Sequence, residues 1–116
     1  MEQEFLRGLF CKKIELEYQV FRRTMLGKGR EMVFARAEII QEMTELYHNL
    51  IEMESSMTKE EMESLMIIPE VLQYLRREWH KKKKNGIESG TTFLRQKIME
   101  LEKIYQEVEK EGQKAV

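Results

Sequence analysis

Between Glu31 and Glu54 the apolar positions recur in steps of three and four. Projected at about 100° per residue, Val33, Ala37, Ile40, Met43, Tyr47 and Ile51 fall within about 60° of a common direction, and Met32, Ile39, Leu46, Leu50 and Met53 widen the band to roughly 200°. An ordinary surface helix needs a stripe only about 100° wide. The stretch therefore predicts a helix covered by at least two neighbours, with no room beside it for a catalytic cavity. Its other side carries Glu31, Glu38, Gln41, Glu42, Glu45, His48, Asn49 and Glu52, which read as facing water.

Leu6, Phe10, Ile14, Tyr18, Phe21 and Met25 repeat the same spacing and predict a helix over about 2–26, with Gly27 in the left-handed position after its end. Gly27, Lys28 and Gly29 leave room only for a turn, so helices 2–26 and 31–54 form an antiparallel αα-hairpin. Each apolar face of that hairpin holds one charge, Glu17 on the first and Arg36 on the second. Counting outward from Lys28 brings them within about 4.5 Å along the axis, which predicts a partly buried ion pair that sets the register, or else two charges that reach solvent on their aliphatic stems. Phe5, Leu9, Leu16 and Val20 form a second stripe on the first helix. It meets a later helix, pairs across a two-fold axis in a homodimer, or is offered to another protein.

Thr58 and Glu61 have the spacing of a capping box and predict a helix over 59–68. Pro69 separates it from a helix over 69–84, although Leu65, Ile68, Leu72, Leu75 and Trp79 keep phase across the proline, as one kinked helix would. Asn85 and Gly86 are a stop signal. Ser89 or Thr91 then caps a helix over 91–111, whose seam of Leu94, Ile98, Leu101, Tyr105 and Val108 suits one groove; residues 112–116 read as a frayed tail. The chain is expected to be one all-α domain, a small helical bundle.

Composition sharpens this. All 21 acids are glutamate, with one proline and six glycines, so the helix former is abundant and the turn formers are scarce. At 116 residues and 41% apolar content the chain can build one core, and it is too apolar for intrinsic disorder. No apolar run is long enough to span a membrane, and Met1 to Leu9 contains two glutamates where a signal peptide would be basic and then apolar. A cytoplasmic location is expected, and the single Cys11 has no internal disulfide partner.

Candidate chemistry is sparse. Cys11, His48 and His80 are far apart in sequence, and Glu38, Glu42 and Glu45 read as a solvated face rather than a metal site. Neither a nucleophile motif nor a glycine-rich phosphate loop is present, so no catalytic residue and no cofactor are assigned. The clearest local signal is charge. Arg76, Arg77, Lys81, Lys82, Lys83 and Lys84 against Glu78 give +5 over 76–84, with His80 among them, whereas the whole chain carries −1. Such a cluster binds an acidic protein surface or a phosphate backbone; alternatively its cations complement a helix C-terminus. Trp79, inside the cluster, also continues the Leu72 and Leu75 stripe and reads as a core anchor, with base stacking as the other reading. Met53, Met57, Met62 and Met66 read as core filling, or else as an adaptable surface.

Leu9, Lys13, Glu17 and Phe21, then Ala37 to Ile40, then Val71, Leu72 and Arg77 to Trp79 followed by Leu94 and Ile98, have a spacing that resembles a family of short uncharacterised helical proteins from Firmicutes and their mobile elements. The resemblance covers roughly positions 5 to 105. It implies no activity, only a setting in which small proteins act by binding and blocking larger ones, such as a host defence nuclease or regulator. The functional expectation is a non-enzymatic binding protein with a protein partner; the alternative is a nucleic-acid binder using Arg76, Arg77, His80 and Lys81 to Lys84.

Overall fold

The structure, a computed structural model, describes residues 2–87 and 89–114. Over these described residues it is an all-α bundle of six helices: α1 (Glu2–Leu26), α2 (Arg30–Ala35), α3 (Ala37–Met53), α4 (Lys59–Met66), α5 (Val71–Lys83) and α6 (Gly90–Lys114), with a 3-10 turn over Glu54–Ser56. Helix α3 is the hub and touches α1, α5 and α6. Around it Phe10, Ile14, Met43, Leu46, Leu50, Met57, Met62, Leu65, Leu72, Leu75, Trp79, Phe93, Leu94 and Ile98 form one sealed core. Met57 and Met62 lie inside it, and Met53 and Met66 pack against it, so the methionines fill the core. No helix is long and apolar enough to cross a membrane among the described residues.

The hub differs from expectation in two ways. The helix expected over 31–54 is broken at Arg36, whose backbone (φ −114°, ψ 23°) leaves the helical region between α2 and α3. Helix α2 buries nothing, and Phe34 is 74% exposed. Within α3 the buried face centres on Met43, Leu46 and Leu50, which a helical projection places roughly 90° from the middle of the band drawn through Ile40. Packing against α5 and α6 as well as α1 selects that direction. Glu42 therefore turns inward to 1% exposure, and Ile40 is left at the edge.

Turn chemistry accounts for the helix ends. Gly29, not Gly27, takes the left-handed conformation (φ 92°), while the Gly27 N–H still donates to the Arg23 carbonyl as a helical residue would. The capping box is complete: Glu61 N–H donates to Thr58 Oγ1 at 3.1 Å and Thr58 N–H to Glu61 Oε1 at 2.8 Å. Helices α4 and α5 are separate, because the chain turns through residues 67–70 around Pro69. Gly86 (φ 96°) closes α5, with the Ile87 N–H returning to the Lys82 carbonyl, and Ser89 Oγ accepts from Thr92 N–H at the start of α6. Helix α6 runs to Lys114, past the expected end at 111, so 112–114 are helical, and 115–116 lie outside the described residues. The expected seam is only half used: Leu94 and Ile98 are buried, but Val108 is 63% exposed.

Candidate functional site

Helix α5 divides the basic cluster between its two sides. Arg76, His80 and Lys83, at steps of four and three, turn inward onto the carboxylate of Glu42, with Arg76 Nη1 at 3.5 Å, His80 Nδ1 at 3.5 Å and Lys83 Nζ at 3.1 Å. Lys83 also lies 4.2 Å above the buried Trp79 ring, a cation–π contact. These three side chains hold α5 onto α3. Arg77, Lys81 and Lys84, one position further along, face solvent with Lys82, and Lys81 is tied at 3.1 Å to Glu78. The outer row alone remains to meet an external anion. Trp79 is 1% exposed and packs on Phe93, which leaves it out of reach of a stacking base.

A second ionic node ties α5 to α6. Glu78 accepts from Lys81 and from Lys97 Nζ, each at 3.1 Å, and Lys97 lies over the Tyr74 ring. The two lysine hydrogen bonds hold the Glu78 carboxyl below its usual range. Burial pulls the Lys97 ammonium down, but its bonds to Glu78 and Tyr74 prevail and raise it.

The expected Glu17 to Arg36 ion pair is not formed. Glu17 Oε1 accepts from the Leu72 N–H at 3.0 Å, and Oε2 lies 2.8 Å from Lys13 Nζ. The physical reason is at the start of α5, where Glu70 supplies no side-chain cap, so the unpaired N–H groups of that helix draw in a carboxylate from α1. Arg36, exposed at the α2–α3 break, donates its Nε–H to the sulfur of Met32 at 3.3 Å. Lys13 completes the clamp by donating to the Pro69 carbonyl at 2.9 Å. Arg7 does the same nearly two turns earlier, donating to the carbonyls of Glu54 and Met57. Sequence periodicity carried no sign of these side-chain bonds to distant turns, because the partner in each is a backbone atom.

Three acceptor groups converge where the sequence suggested a solvated face: Glu38, Glu42 and His80 offer ligand atoms within 4.8 Å of one another. The same carboxylate already faces Arg76 and Lys83, so a cation arriving there meets two positive charges. Cys11 is half-buried, and burial followed by the nearby Glu54 carboxylate pushes its thiol up, away from a reactive thiolate.

Two surface features remain. On α1, Phe5 (71% exposed), Leu9, Leu16 and Val20 (62%) lie in one row, with the exposed Lys12 and Arg23 on the same side. No helix of the described chain covers them. Beside the C-terminal half of that row a groove of about 460 Å³ opens between α1, α3 and α5. Its floor is Met25, Met43 and Leu72, its walls include Leu16, Val20, Phe21 and Ile39, and its rim carries Lys28, Arg36, Glu70 and Arg76. The space expected to be filled beside the hub helix is therefore open on this side. The projection that centred α3 on Ile40 hid it.

No protein-family model, curated protein or solved structure matches the chain.

Proposed function

We propose that the chain is a non-enzymatic binding protein that works through protein–protein contact, with the exposed row of α1 as its docking face. The observation that carries this is the row itself: Phe5, Leu9, Leu16 and Val20 hold four large side chains in water over 15 residues, about 22 Å of helix. Nothing in the core needs them apolar. Lys12 and Arg23 on the same side favour a partner helix with apolar residues along one face and acids beside them. The resemblance to mobile-element proteins adds a setting, in which the domain sits on a larger host protein in the cytoplasm and blocks it.

The nucleic-acid reading is weaker, because Arg76, His80 and Lys83 are turned onto Glu42 and Lys81 onto Glu78. A photo-crosslinking residue placed at Leu9, and in a separate variant at Lys82, tests both readings in the cells that make the protein. The docking face predicts a discrete adduct from position 9 that disappears with Leu16→Glu, and none from position 82. An adduct of twice the chain mass would identify the partner as a second copy. Duplex DNA binding at micromolar level that collapses between about 50 and 200 mM salt, and is lost with Arg77→Glu, would instead assign the function to the outer row of α5.

A further inference from the structure

We infer that the groove between α1, α3 and α5 is a binding site for a small amphiphile, with an apolar body and an anionic head that is a carboxylate or a phosphate monoester. The size fits, since about 460 Å³ lies within the range of small-molecule sites, and the floor reaches the sealed core at Met43 and Leu72. An apolar body seated there replaces water on the exposed walls at Leu16 and Val20.

The sign of the head follows from which charges are already matched. Glu17 lines the groove, but Lys13 and the Leu72 N–H occupy its two oxygens. Arg76 shares Glu42. Lys28 and Arg36 have no carboxylate within ion-pair distance among the described residues, and Glu70 is the single unmatched acid at the rim. These two cations stand at the α1–α2 turn and at the α2–α3 break, and both line the groove. A guanidinium and an ammonium over an apolar pit suit a carboxylate or phosphate whose tail lies below.

Calorimetric titration of the full chain with dodecanoate, dodecyl phosphate and dodecylammonium, each kept below its micellar concentration, tests this. The expected result is one saturable site for the anions and at least roughly tenfold weaker binding of the ammonium, the effect of exchanging a charge-assisted contact for a repulsive one. The tighter of the two anions identifies the head group. Arg36→Gln should weaken anion binding roughly tenfold. Thr24→Trp, at an exposed residue lining the groove outside the α1 row, should abolish it by filling the space. Circular dichroism checks that both variants fold. Equal affinity for dodecylammonium, unchanged binding by folded Thr24→Trp, or no saturable binding of either anion would overturn the inference.

Discussion

Glu42 shows how much one side chain can hold. Its carboxylate is 1% exposed and is flanked by Arg76, Lys83 and the His80 ring from one helix, none of which is itself fully buried. Removing the acid leaves Arg76 and Lys83 facing each other against α3 without the carboxylate they share. Glu42→Gln should lower unfolding stability by about 1–3 kcal/mol, less than for a fully desolvated pair because Arg76, His80 and Lys83 keep partial access to water. Urea titration of the two proteins checks this, and equal midpoints would show that the node contributes nothing. Glu42 was unreadable as a buried residue from its spacing alone. It lies about 70° from the true centre of α3's buried face, close enough to be swept in once the helix rotates onto α5 and α6. The companion error at Glu17 has the same origin: a lone charge on an apolar face signals a partner, but its spacing cannot say whether that partner is a side chain or the end of a helix.

At the scale of helices, the signals that proved reliable are local and made of short-range hydrogen bonds. Thr58 and Glu61 announce the start of α4 because both halves of the motif lie within three residues, and Gly86 ends α5 because only a left-handed residue lets the Ile87 N–H turn back. Thr58→Ala should cost about 1 kcal/mol, read as a lower melting temperature with the fold otherwise retained. A variant as stable as the parent would mean that Met57 and Met62, buried on either side, set the helix start by themselves. The break at Arg36 was not legible, since Phe34, Ala35 and Ala37 are all compatible with a continuous helix. On its N-terminal side α2 has no fully buried residue.

For the whole molecule, the two ionic nodes act as fasteners on opposite sides of α5, one to α3 and one to α6. The Glu78 carboxyl is held below its usual range, so its contribution is present above the ordinary glutamate pKa of about 4.3 and is lost as pH falls through the lower folded value. The Lys97 ammonium is raised, so its share persists below the ordinary lysine value of about 10.4 and is lost only as pH rises beyond it. Between these limits the α5–α6 fastener should be insensitive to pH. Glu78→Gln should flatten the acid side of the stability curve, and a parent and variant that lose stability in parallel from about pH 5 to 3 would refute that role. The all-α architecture and most of the core were legible because they follow from apolar spacing. The groove was not, because it is a gap between three helices, and where it opens depends on how they rotate about their own axes.

The burial of Trp79 has a practical consequence. It is the single tryptophan of the chain, enclosed between Phe93 and the ammonium of Lys83 at the junction of three helices. Its emission is thus a built-in spectroscopic gauge of whether α5 remains docked: blue and shielded from iodide while the bundle is closed, red and quenchable once that one helix lifts away.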